Sequence, residues 1–207
     1  MNLKRSLVVV SVLAVSLPVV AGDINNIQAL SQPNFAVTAT KLKNSDVLQK
    51  AGAGDHSTLP VPSLRLHKGL PLDLDVGVMV GAVPGTNVRL YGGELRYAIV
   101  SGGVAKPAIG IRGSYTKLTG VDQLDFNTRG VDLSISKGFL MFTPYAGIGK
   151  VWASSTPNGI PALSKESLSL NKVFVGANLN FGLTNLAFEG DRTGKATSYG
   201  VKLGFRF

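Results

Sequence analysis

Two histidines stand where side-chain chemistry would first be sought. His56 lies between Asp55 and Ser57, an Asp-His-Ser string inside the polar segment 43–60. A nucleophile, its base and an orienting acid must converge from separate elements, so adjacent residues rarely make a triad. The string is read as solvated loop. His67 alternates with Leu66 and shares a face with Arg65, where a lumen or rim hydrogen bond is the simplest role. No histidine follows residue 67, so a His–Ser pair further along the chain is unavailable. With no Cys there is no thiol nucleophile, thiolate metal site or disulfide. Asp122, Asp125 and Asp191 could meet a divalent ion from loops, but ordinary solvation accounts for them. Gly147-Ile148-Gly149 and Gly110-Ile111-Arg112-Gly113 fall inside strand patterns, not at strand-to-helix turns, so neither is a phosphate loop. No catalytic residue, metal site or cofactor is assigned; a hydrolase at the rim is the one enzymatic exception.

The elements that would position these residues repeat every second position. Tyr199, Val201, Leu203, Phe205 and Phe207 share one face, against Ser198, Gly200, Lys202, Gly204 and Arg206 on the other. Val173, Val175, Ala177, Leu179 and Phe181 repeat the pattern, as do Ile109, Ile111 and Tyr115, then Val131, Leu133 and Ile135, then Leu74, Val76, Val78 and Val80. Shorter copies occur at Phe35, Val37 and Ala39, at Leu64 and Leu66, and at Leu186 and Phe188. In segment 87–100 the phase set by Val88 and Leu90 changes to Leu95, Tyr97 and Ile99, which predicts a bulge at Gly92-Gly93. Segment 145–153 is ambiguous, because Ile148 and Trp152 share a face with Lys150. About ten strands result, most of them as long as a transmembrane β-strand requires.

The faces opposite the apolar ones carry Gly, Ser, Thr, Asn and isolated charges, which could not pack a soluble sandwich. Apolar residues therefore face lipid and polar residues face inward. This predicts an all-β chain folded as a transmembrane antiparallel up-and-down β-barrel of about ten strands, or eight if the first hairpin stays outside the membrane. The composition agrees, with 25 Gly and only 16% charged residues against roughly 25% charged in soluble domains. Connections should alternate in length. Segments 43–60, 119–126, 154–166 and 189–196 read as outer loops, and 68–72, 101–106, 138–143 and 182–184 as short periplasmic turns. Segment 82–86 is short where a longer loop is wanted.

Residues 1–21 read as a cleaved signal peptide: Lys4 and Arg5, an apolar stretch from Leu7 to Val15, Pro18, then small residues before Gly22. Residues 22–33 follow as a periplasmic segment, and 34–207 as the barrel. Losing Lys4 and Arg5 lowers the formal charge from +9 to +7. Lys and Arg are scattered along strands, which excludes a nucleic-acid surface; lipopolysaccharide phosphate is the natural anionic neighbour.

Arg65, Asp75, Arg96, Arg112, Asp132, Lys150, Lys172, Glu189, Lys202 and Arg206 fall on inward positions, with Glu94 undecided because of the bulge. One reading pairs these charges to fill a narrow lumen. The other uses their excess of cations, seven to three, for a narrow channel passing small anionic or neutral solutes. The first leaves a structural or surface-binding role to loops 43–60 and 154–166.

The terminal Tyr199-Gly-Val-Lys-Leu-Gly-Phe-Arg-Phe207 resembles the last-strand signature of bacterial outer-membrane β-barrel proteins. That resemblance implies recognition of Tyr199, Val201, Leu203, Phe205 and Phe207 by the barrel-assembly machinery, with periplasmic chaperones as earlier partners. It also implies residence among outer-membrane lipid and lipopolysaccharide. More loosely, the chain is similar to small proteobacterial outer-membrane proteins without an assigned activity.

Overall fold

The computed structural model describes residues 34–43, 58–103, 106–120, 124–157 and 165–206, with backbone alone for 34–43, 58–60, Leu124, Pro157 and Arg206. The expected signal peptide, the segment 22–33, Asp55, His56, Ser57, Asp122 and Phe207 lie outside the described residues. The strands are β1 (Asn34–Lys43), β2 (Thr58–Pro60), β3 (Ser63–Leu70), β4 (Leu74–Ala82), β5 (Arg89–Val100), β6 (Ala108–Thr119), β7 (Leu124–Ser136), β8 (Phe142–Pro157), β9 (Glu166–Phe181), β10 (Thr184–Thr193) and β11 (Ala196–Arg206). From β3 onward each pairs antiparallel with its neighbour in sequence. Both β2 and β3 pair with β1, so they are one stave interrupted at Val61-Pro62, where proline offers no N–H to the ladder. Ten staves result. The sheet closes where β1 meets β11, with Phe35 opposite Phe205, and that pairing decides ten over eight.

Cross-strand partners fix the barrel's geometry. From Val37 they run through Leu64, Val80, Tyr91, Lys117 and Asn127 to Ser154 on β8. The opposite way round they run through Leu203, Leu186 and Leu179 to Phe142 on the same strand. The arrivals differ by 154 − 142 = 12 residues, the shear. Ten staves with this shear tilt by about 40° and enclose a space narrow enough for side chains to fill.

Polarity is inverted relative to a soluble sheet. Asp75 is 0% exposed while Val78, on the next outward position but one, is 59% exposed. The same contrast follows the staves from β3 to β11, and Tyr199, Val201, Leu203 and Phe205 all face outward. Such a continuous apolar exterior is stable only against lipid, and the fold is a transmembrane β-barrel. Long connections (44–57 and 158–165) lie at one end, here the loop end. Both β1 and β11 have their outer ends at the other, the turn end.

Three local expectations are corrected. Register is continuous across Gly92-Gly93 on both sides of β5; the irregularity lies between Ala98 and Val100. The apparent phase change arises because Leu90 is an inward apolar residue, fully buried. Segment 189–196 is no loop: β10 and β11 run on to a turn at Gly194-Lys195, where Gly194 takes a φ of 60°. Segment 119–126 shortens likewise, to the four residues between Thr119 and Leu124. At the turn end the tips are apolar. Leu72 (φ 69°) and Leu140 (φ 52°) adopt the left-handed region that costs a bulky residue, and Leu72 and Leu183 are 83% and 70% exposed.

Inward glycines seat aromatic rings. Tyr145 faces Gly176 and Phe174 faces Gly147 across the β8–β9 ladder. A Cβ on Gly176 would meet the Tyr145 ring and stand 2.5 Å from the Phe188 carbonyl oxygen. Gly176→Val should therefore destabilise the barrel by roughly 1–3 kcal/mol. The check is the temperature at which heat-modifiable gel migration is lost, which must fall relative to wild type.

Candidate functional site

The candidate site is the lumen. Arg65 and His67 enter it from β3, Asp75 from β4, Glu94 and Arg96 from β5, Arg112 from β6, Asp132 from β7, Lys172 from β9, Glu189 and Asp191 from β10 and Lys202 from β11, all with buried side chains. Lys150 does not. It is exposed beside Ile148 and Trp152 on the outer face, because β8 keeps its phase through 143, 145, 147 and 149. The side chain of Arg206 lies outside the described residues.

Glu94 is the hub. Its carboxylate pairs with the Arg96 guanidinium, stands 3.2 Å from Nδ1 of His67 and 3.9 Å from Nη1 of Arg112. Nε of Arg112 donates to Oδ2 of Asp132 at 2.9 Å, and Nη2 donates to the same oxygen. Nδ1 of His67 is also 3.5 Å from Oδ1 of Asp75. Higher up, Ser198 Oγ donates to Asp191 at 2.5 Å, Thr193 Oγ1 donates to its other oxygen at 3.2 Å, and Lys172 Nζ sits 5.0 Å from the Phe174 ring centre.

Glycine again makes the room. His67, Gly77 and Glu94 are consecutive cross-strand partners, and a Cβ on Gly77 would come within 2.6 Å of the imidazole and 2.9 Å of Glu94 Cγ. Asp132, Gly149 and Lys172 repeat the arrangement. Near the loop end the filling is apolar: Leu90, Leu118 and Phe126 form a fully buried cross-strand row. Between Arg65, His67, Glu94 and Thr116 a cavity of about 10 Å³ remains, the room of one water.

The described buried charges are Arg65, Arg96, Arg112, Lys172 and Lys202 against Asp75, Glu94, Asp132, Glu189 and Asp191, five of each sign. The expected excess of seven cations to three narrows because Lys150 leaves the set while Glu94 and Asp191 join it; the side chain of Arg206 is not among those described. Neither ring nitrogen of His67 makes a hydrogen bond, and its near neighbours are the Asp75 and Glu94 carboxylates. Among the described residues no group of three His, Asp or Glu is placed to hold a metal. Glu94 could have been found by holding the alternation through Gly92-Gly93, and Asp191 by continuing it from Ala187 and Glu189.

No protein-family model matches the chain, and no curated protein matches it in sequence. Among solved structures it is similar to the N-terminal β-barrel domain of Pseudomonas aeruginosa OprF, at 13% identity over 85% of this chain and 98% of that one, with a TM-score of 0.42. It is similar to the outer membrane protease OmpT of Escherichia coli at 9% identity, over 86% and 97%, with a TM-score of 0.45. Ail, the attachment invasion locus protein of Yersinia pestis, gives 12% identity over 85% and 97% and a TM-score of 0.33. The barrel assignment rests on strand register and not on these likenesses.

Removing one member of a buried charge network leaves its partners uncompensated, which costs about 3–5 kcal/mol. Glu94→Gln should therefore lower the midpoint of urea unfolding in detergent far more than Lys150→Gln, whose exposed change should stay within about 0.5 kcal/mol. Equal midpoints for the two variants would contradict Glu94 as the hub.

Proposed function

We propose that this protein is an integral bacterial outer-membrane barrel with a structural or surface-binding role, its lumen filled and not conducting. The observation that carries the reading is the mutual pairing of buried charge: among the described residues five cations and five anions lie at close quarters, beneath the apolar row of Leu90, Leu118 and Phe126. An anion-selective pore would use an excess of positive charge along an open path, and the described lumen supplies neither. Residues 1–21 act as a cleaved signal peptide and 22–33 as a periplasmic segment ahead of the barrel. The apolar exterior supports residence among outer-membrane lipid, with lipopolysaccharide as the neighbour at the loop end. Biogenesis employs periplasmic chaperones and the barrel-assembly machinery, the latter reading Tyr199, Val201, Leu203, Phe205 and Phe207. Surface binding belongs to the loop end, where β8 and β9 are the longest strands at 16 residues each.

Refolded protein in a planar bilayer should give no discrete conductance steps. Clean, ion-selective steps from the wild-type chain would overturn the filled lumen. In cells the protein should stay with the outer-membrane pellet through a carbonate wash, and its release would overturn the location.

A further inference from the structure

Five cations face outward along the loop-side edge of the apolar exterior: Arg89 on β5, Lys117 on β6, Arg129 on β7, Lys150 on β8 and Arg192 on β10, all exposed. Their registers are related. The partner of Arg89 is Thr119, two residues above Lys117; the partner of Lys117 is Asn127, two above Arg129; the partner of Arg129 is Trp152, two above Lys150. The partner of Lys150 is Asn171, whose carbonyl accepts from the N–H of Gly194 at 2.9 Å, and Gly194 lies two residues above Arg192. A register row climbs towards the loop end in this direction, from Leu74 at the foot of β4 to Arg192 at the head of β10. Shear sets the climb at about 1.2 residues per stave. The downward steps total eight residues against a climb of about six, so the cations form a belt that stays within about 6 Å of level around half the barrel.

The belt has a definite depth. The outward positions beneath it are mostly apolar or aromatic: Tyr91 lies below Arg89, Tyr115 below Lys117, and Ile148 below Lys150. The eight residue steps from Lys150 down to Phe142 cover about 20 Å of height at this tilt. With the apolar turn tips this approaches the ~25 Å of a bilayer's apolar band, which brings the belt to the headgroups of the loop-side leaflet. Lys117 has a carboxylate nearby, Asp125 at 3.9 Å, with both side chains about half exposed. Among the described residues Arg129 and Lys150 have none.

Diagonal neighbours on adjacent strands stand about 7–8 Å apart, a gap that a phosphate with several acceptor oxygens can bridge through charge-assisted hydrogen bonds. We infer that Arg129 and Lys150, flanked by Lys117, hold a phosphate of a phosphorylated glycolipid of the loop-side leaflet, packed against Trp152. The inference rests on the reading above that the loop end faces outward from the outer membrane.

Trp152 is the single tryptophan of the chain and 42% exposed, so its emission reports on the site directly. The full chain, refolded in a zwitterionic detergent, is titrated with diphosphoryl lipid A, with dephosphorylated lipid A and with inorganic phosphate. Saturable change is expected with the first alone. The double variant Arg129→Gln, Lys150→Gln should weaken it about tenfold or more, and Lys68→Gln, near the turn end, by less than about twofold. Retained heat-modifiable migration shows that each variant is folded. Unchanged affinity in the double variant would overturn the inference, as would equal binding of the dephosphorylated lipid or saturation by inorganic phosphate. Fractionation away from the outer membrane would overturn the location separately, since the detergent titration does not depend on it.

Discussion

A strand in hydrocarbon must find every backbone hydrogen-bond partner within protein, because lipid offers none. That constraint governs the molecule. It excludes an open edge, so β1 must meet β11, and the closed wall keeps the lumen's charged groups away from lipid and facing one another. Closure with ten staves and a shear of 12 in turn sets how much room the interior has. The room is small, and its contents follow: glycine stands opposite the Tyr145 and Phe174 rings, and His67, Glu94, Asp132 and Lys172 are laid across a neighbouring strand's missing side chain.

The lumen is costly in isolation and economical as a set. Burying any one of its charges alone would be prohibitive, yet Glu94 faces Arg96, Arg112 and His67 together, and Asp132 takes two donors from Arg112. Arg65 and Lys202 enter from staves on either side of the closing strand β1, so the cluster is complete only when the sheet is rolled. Charge pairing and backbone closure thus favour the same state and reinforce one another.

Much of the architecture was legible because period two is a short-range signal with a long-range meaning. The clean runs of β4, β6, β7, β9 and β11 marked strands, faces and inversion together, and the terminal run at Tyr199 to Phe205 lies outward on the closing stave. What could not be read were positions where one face carries both kinds of residue. Leu90 is apolar yet points inward, which made a straight strand look bulged. Lys150 is charged yet points outward, because β8 leaves the hydrocarbon at that height and its side chain reaches polar surroundings. Asp191 sat in Gly-Asp-Arg-Thr-Gly-Lys, whose composition mimics a loop although the chain there is strand up to a two-residue turn. Hydrophobicity reports the environment of a side chain, and environment follows face only within the apolar band.

The leucines at the tips of the turns acquire a purpose beside the outward cations. Leu72 and Leu140 accept an unfavourable backbone conformation at positions where glycine or asparagine would sit without strain, and they are fully displayed. Apolar weight at one end and fixed charge at the other act like the keel and waterline of a hull. Sliding the barrel by one register step towards the loops would lift leucines out of the membrane interface into water, and sliding it the other way would submerge arginine and lysine. Depth in the bilayer is therefore fixed from both ends, and the height at which the long β8–β9 ribbon meets the outside is fixed with it.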